Sequence, residues 1–484
     1  MIVSPDPFDS TARREPGGFG PTPDAEIRAR RLILGAVLAV VCAAVGFNLV
    51  FLPASFLFGG LAGIAAVVVI LARPYLGLVL YAAVFVLRPG ELYPALSVLR
   101  LERLVGAVTL AAMLLEMIRR EGKVSLDGTT QSRWLFLFLI TIYLTIPSSF
   151  WPGRTLERVV DFLKIAAFYV MIVQLVTTRR RLLGFVGTYI VLIVYLAFTS
   201  LRAYLGGELM IAQGIDRAVG TTSAGGNPNS LGATLGTVVP LGLLLAAAAR
   251  RFRTKLVLGA GIGLCLWTML LTGSRSSVLG LVAAALVLWL MSGRKALYAL
   301  LGSIVFVGTF YLLPGSYRER YSTITSTELD ESSELRVETW RSGVRMLLDR
   351  PLLGVGAGAF GTAHATAYSS GNWLESHSLY IQVPAEIGLI GTGVFFGFLI
   401  AVFRLNRRAR SALAKERPSW RTEAAVLDGV FAGLCFLLVF SIFGHTMMRP
   451  TWYVLAAVGL AVYRLHHDLP PEAPAPPPSG QGTP

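Results

Sequence analysis

Charge is scarce in this sequence: Asp, Glu, Lys and Arg make up 15% of 484 residues, against about 25% in an ordinary soluble domain. With 54% hydrophobic residues and a mean hydropathy of +0.64, that shortage excludes a soluble globular enzyme. Cysteine occurs three times, at Cys42, Cys265 and Cys435, each inside an apolar run. Neither a disulfide framework nor a cysteine metal cluster is expected. There is no GxxxxGKS/T phosphate loop, so direct ATP hydrolysis has no cradle. No HExxH stands in the chain either, and the external carboxylates Glu331, Glu334, Glu338 and Glu375 have no metal-ligand spacing. No cofactor is expected. The first 31 residues end in Arg28, Arg30 and Arg31 and lack the short apolar core of a secretion signal. A retained anchor beginning near Leu32 is the expectation.

What the sequence does have is long apolar runs. About fourteen of them recur, most long enough to cross a bilayer as a helix. The fold expected is an all-α polytopic membrane protein with about 12–14 transmembrane helices. The run at 75–88 is short and ends at RPGELYP, which suggests a re-entrant or tilted element. Runs at 134–150, 384–404 and 424–445 are read as spans. The organisation expected is a cytoplasmic tail at 1–31, a membrane core at 32–313, a large external loop at 314–383, further spans at 384–465 and a Pro-rich tail at 466–484.

The basic clusters support one orientation. RR at 119–120, RRR at 179–181, RRFRTK at 250–255, GRK at 293–295 and the basic stretch 404–421 fall on one side when both termini are cytoplasmic. Most of the 43 Lys and Arg residues then obey the positive-inside rule. In a bilayer protein this placement accounts for the net charge of +15 without nucleic acid.

Three places then meet on the external face. TGSRSS at 272–277 puts Arg275 in a short turn between two spans, on the side where arginine is disfavoured. SSELRVETWRSGVRMLLDR at 332–350 reads as an amphipathic helix, with Leu335, Trp340, Val344 and Leu347 near a 3.6-residue period. It carries Arg336, Arg341 and Arg345, whose guanidinium forks suit phosphate oxygens. His377 stands in WLESHSLY, just before an apolar run. Histidine occurs only five times, at His364, His377, His445, His466 and His467, and the last two are cytoplasmic in this layout. A neutral imidazole at His377 could take a proton from a sugar hydroxyl.

Four stretches in order resemble the O-antigen ligase family: GNPNSLGATLGTVVPLG at 226–242, LTGSRSSVLGLV at 271–282, LRVETWRSGVRMLLDRPLLGVGAGAF at 335–360 and SHSLYIQVPAEIGLIGTGVFF at 376–396. The resemblance covers about 220–405. Ser378 stands where that family often has Asn. The resemblance implies a GT-C-like glycosyltransferase of the bacterial inner membrane. Its donor would be an undecaprenyl-diphosphate-linked glycan, and its acceptor a hydroxyl of lipid A core, another lipid or a protein. Transfer would be periplasmic, inverting and metal-independent. In that scheme Arg275 and Arg336 hold the diphosphate and His377 is the general base. Trp340 and Asn229 shape the site; Arg341 and Arg345 are candidate substrate contacts from the reading of the loop helix itself, not from the resemblance. A polymerase of the same family would use the same chemistry.

An exporter without catalysis is the alternative from another class. Paired repeats and charged, broken helices would support it, but no repeat is evident. Asp161 and Lys164 are expected to pair at i, i+3 rather than to carry ions.

Overall fold

A computed structural model describes residues 54–123, 127–212, 214–222, 226–293, 295–296, 311–322, 331–369 and 371–468. The run near 32–50, Cys42, most of the run at 296–313, the tail at 1–31 and all but the first three residues of the tail at 466–484 lie outside the described residues. Two compact units divide the chain, Met1–Val68 and Val69–Pro484. Of the first, residues 54–68 are described, and they are helical.

Among the described residues the helices of eight residues or more, in order, are α1 (Ala54–Ala72), α2 (Pro74–Leu87), α3 (Leu101–Glu121), α4 (Thr130–Leu144), α5 (Pro152–Leu175) and α6 (Arg179–Leu205). A short antiparallel hairpin follows, β1 (Met210–Ala212) and β2 (Ile215–Arg217). Then come α7 (Pro228–Ala248), α8 (Phe252–Leu271), α9 (Arg275–Met291), α10 (Gly315–Ser322) and α11 (Glu331–Asp349). The chain ends with α12 (Leu379–Glu416), α13 (Arg421–Phe440) and α14 (Pro450–His467). Among the described residues, α6, α7, α8, α12 and α13 are long and apolar enough to cross a membrane by length and composition. Shorter apolar helices accompany them at Gly59–Ala72, Pro74–Leu87 and Arg275–Met291. The protein is a mostly helical, polytopic membrane protein.

Proline places several helix starts. Pro74, Pro152, Pro228 and Pro450 sit in the first turn, where the missing N–H costs nothing and φ is already helical. Proline also corrects one expectation: the run at 134–150 stops being helical at Leu144. Pro147 follows within three residues and disfavours helical backbone at the residue before it.

Helix α7 lies at the centre of the second unit and packs on α8, α9 and α13. Its small residues permit this, as at Gly236, where an added Cβ would fall 2.3 Å from the Phe436 ring. Such close approach is how helices associate where lipid supplies no hydrophobic drive. Around it, α12 packs on α4 and α14, and α14 on α5. Cys265 and Cys435 are free thiols, and Lys164 donates to Asp161 at 2.9 Å, as its spacing suggested.

Helix α12 departs furthest from the run expected at 384–404. It begins at Leu379 and continues to Glu416, because RLNRRARSALAKE is rich in helix formers. It is also broken. Pro384 lies inside it, and Gly388 has φ 64° and ψ −171°. The loop after α11 repairs the break: Val355 N–H donates to Ala385 C=O and Gly356 N–H to Glu386 C=O, both at 2.9 Å. In return Leu389 N–H donates to Pro351 C=O at 2.7 Å. Irregular backbone at this position survives because protein satisfies it.

At the opposite end of the bundle, the Arg179 guanidinium grips Glu423 with Nε and with Nη2, the latter at 2.9 Å, while Trp420 stacks on Arg179. Glu423 is wholly buried and Arg179 is half exposed. Glu423→Ala is expected to cost about 2 kcal/mol, less than a fully buried pair because the arginine regains water. Thermal unfolding in detergent checks this, and an unchanged Tm would show that the pair contributes nothing.

Candidate functional site

The site end of the bundle gathers the starts of α7, α9, α12 and α14 with the ends of α8 and α13. Two contacts tie these termini together: Leu379 N–H donates to Ser441 C=O at 2.9 Å, and Arg449 donates to Thr234 Oγ1 at 2.8 Å.

His377 occupies the last loop before α12. Its φ is +50°, a left-handed conformation that non-glycine residues adopt rarely, histidine somewhat more often. The serines beside it explain how this is held. Ser376 and Ser378 are buried, and the single O–H of Ser376 is shared between Ser378 C=O and Gln382 Oε1, each 3.1 Å from Oγ. Trp340 Nε1 donates to Ser376 C=O at 2.9 Å. With both neighbours anchored inward, the left-handed turn presents His377 outward, accessible to solvent. Strain of about 1–3 kcal/mol held at a reactive group is a recurring feature of functional sites.

The elements around the ring remove enough water to lower the His377 pKa below its ordinary value; Glu375 pulls it up and Arg336 adds to the lowering. Arg336 lies one turn before Trp340 on α11, with its guanidinium 5.8 Å from the Phe443 ring. Phe443 belongs to the loop between α13 and α14, which also supplies His445. Burial pushes the His445 pKa down to about 4, with Glu375 opposing and Arg158 and His377 adding to the shift.

Arg275 joins a different set of residues. It opens α9, where Ser274 Oγ accepts the Ser277 N–H. Two further arginines converge on the same turn. Arg217 Nε donates to Thr272 C=O at 2.7 Å, and Arg320 Nε donates to Gly273 C=O at 2.7 Å. Arg217 is nearly buried, and burial followed by the charges of Arg320 and Arg275 lowers its pKa to about 10. Its Nη2 donates to Asn229 Oδ1 at 3.1 Å, so Asn229 sits with this arginine group.

The loop at 441–449 runs between the two sets. Phe443 and His445 meet the His377 side, and Arg449 reaches Ser230 and Thr234, in the first turns of α7 beside Asn229. Arg341 and Arg345 are exposed on α11 and join neither set. The buried face of α11 also differs from the expected apolar stripe. Thr339, Ser342 and Met346 are buried, while Leu335 and Val344 are exposed. Gly343 is the reason, since Ile381 and Phe360 close on it where a side chain would stand.

Sequence reading missed Arg158, Arg217, Arg320, Gln382 and Glu386, and named His445 only as one of the five histidines. Gln382 and Glu386 are i, i+4 on one helix, a signal lost when α12 was started at 384. Arg217 and Arg320 come from the hairpin and from α10, which no periodicity connects to the turn at 272–275.

The fold and these groups define a helical membrane protein with a cationic, histidine-bearing site at one end of its bundle. Over residues 260–396 the chain matches the Wzy_C family model, described as O-antigen ligase. That stretch runs from α8 through the 272–277 turn and α11 to the first half of α12, and so contains Arg275, Arg336 and His377. No curated protein matches the chain.

Proposed function

We propose that the protein is a GT-C-like glycosyltransferase with 12–14 spans that moves a glycan from undecaprenyl diphosphate to an acceptor hydroxyl. Transfer takes place at the periplasmic face of a bacterial inner membrane, with both termini cytoplasmic. The acceptor is lipid A core, another lipid or a protein. The observation that carries the reading is an accessible His377 on the loop whose Ser376 carbonyl accepts the Trp340 Nε1–H of the helix that bears Arg336, within the matched domain.

The chemistry balances without nucleotide. His377 takes the proton of the acceptor O–H as that oxygen attacks the anomeric carbon from the face opposite the diphosphate. The anomeric C–O bond breaks, the configuration inverts, and its electron pair leaves with undecaprenyl diphosphate. Arg275 and Arg336 stabilise that charge. The donor linkage is already activated, so positioning, a base and anion stabilisation suffice, and no metal is required. Trp340 holds the backbone at Ser376, and Asn229 orients Arg217 beside the arginine turn. Arg341 and Arg345 would meet substrate from the solvent side of α11. The exposed Leu335 and Val344 suit a helix lying against the bilayer.

The test uses purified protein in detergent with chelator, an undecaprenyl-diphosphate-linked oligosaccharide and lipid A core. Chelator-resistant transfer without nucleotide is expected, and Arg336→Gln is expected to lower kcat by about 10²–10³-fold. Lengthening of the glycan on its own lipid carrier would replace the ligase with a polymerase. Movement of the intact donor across liposomes, with no bond broken, would replace both with an exporter.

A further inference from the structure

One glutamine ties two carboxylates together behind His377. Gln382 Nε2 donates to Glu375 Oε2 at 2.7 Å and to Glu386 Oε1 at 2.8 Å. Its Oε1 accepts from Ser376 Oγ at 3.1 Å, so both amide hydrogens and the amide oxygen are committed. Glu386 is wholly buried, and the Gly358 backbone N–H also acts on its carboxylate. Gln382 is also nearly buried.

This arrangement costs more than a structural link requires. A buried carboxylate is expensive to keep, and a second brought to the same amide adds repulsion. Serine, glutamine and a backbone carbonyl would anchor the loop equally well. The arrangement instead holds one carboxylate, that of Glu375, in a single position two residues from the imidazole. Gln382 has no remaining hydrogen with which to serve another group, so Glu375 cannot turn away without breaking the chain of bonds that also fixes Ser376.

The charged groups facing His377 come from every element packed around it. Glu375 lies on its own loop, Arg336 on α11 and His445 on the loop after α13. Arg158, on α5, acts on His445 and on Glu386. Of these, Glu375 is the anion whose charge acts directly on His377. When a base takes up a proton in a site with an arginine nearby, the new cation needs an anion beside it.

We propose that Glu375 is a positioning residue that stabilises protonated His377, held in that place by the Gln382 bridge to buried Glu386. The inference rests on the reading of His377 as the base, and it adds residues outside the scheme drawn above. Glu375 need not itself be protonated: from the place where Gln382 holds it, its charge offsets that of the imidazolium while the acceptor oxygen attacks.

The experiment has one readout that needs no substrate. The rate of carbethoxylation of His377 by diethylpyrocarbonate, followed by mass spectrometry of the full chain in detergent, is measured against pH. Only the neutral ring reacts, so the midpoint reports its protonation. Glu375→Gln is expected to move that midpoint down by about one pH unit, because the mutation removes the charge that favours the cation. Gln382→Ala is expected to move it in the same direction by less. Glu375→Asp should restore most of the wild-type midpoint, as a merely structural hydrogen bond would not.

In the transfer assay, Glu375→Gln is expected to lower kcat by about tenfold to a hundredfold with the donor KM unchanged. An unchanged midpoint in Glu375→Gln, in protein that elutes and melts like wild type, overturns the proposal whatever the transfer rate. A shifted midpoint together with transfer that survives His377→Ala would leave the pairing intact and remove the base assignment beneath it.

Discussion

Replacing His377 with alanine is expected to lower glycan transfer by about 10²–10⁴-fold while the donor KM changes little. The size follows from losing a positioned base. The direction follows from the local environment, since partial desolvation and Arg336 lower the pKa of the ring against the pull of Glu375. A base works in its deprotonated form, so a lowered pKa carries activity further into acid. The acid limb of kcat/KM, which reports the free enzyme, should therefore lie below that of an unperturbed histidine and vanish in the variant. Initial rates from pH 4 to 9 would decide it. Full activity in His377→Ala would return the residue to a structural role at the edge of the membrane.

Gly388→Ala is expected to remove most folded protein from the membrane. The residue has φ 64° and ψ −171°, a region that is essentially closed to residues with a side chain. An added Cβ would lie 2.2 Å from the Leu352 carbonyl oxygen and 2.6 Å from the Leu353 nitrogen. Both are backbone atoms, and neither can rotate away. The break in α12 cannot straighten into a regular helix, because the loop at 351–356 is hydrogen-bonded into it. Backbone strain and overpacking together should cost about 3 kcal/mol or more. Yield and melting temperature after detergent extraction measure the effect. A variant that accumulates and melts like wild type would show that α12 tolerates a continuous helix there. The loss should exceed that of Glu423→Ala, where an exposed arginine can still be rehydrated.

The break also decides the geometry of the site. Were α12 unbroken, the carbonyls of Ala385 and Glu386 would be committed to its own ladder. The 351–358 loop would then have no docking edge, and α11, with Arg336 and Trp340, would have no fixed position over His377. Pro384 and Gly388 are visible in the sequence as residues that interrupt helices. That their interruption is repaired by a segment some 30 residues earlier is visible only in the fold.

Composition and run length determined that this chain is a helical membrane protein, because the bilayer admits few other structures for such segments. The same sequence marked Arg275, Arg336, Trp340 and His377, since arginines and a histidine beside apolar runs stand out against a background of 15% charge. Periodicity also located α11. Which face of α11 is buried was not legible, because Gly343 contributes no hydrophobicity and yet admits the closest packing. Nor was the division of the cations into an Arg275 group and a His377 group, joined by the loop at 441–449. Local pattern governs helix and span, since each residue's preference acts through its own backbone and the surrounding lipid. The company that His377 keeps depends on Glu375, Gln382, Arg336 and His445 arriving from three segments, and only the packing of those segments determined it.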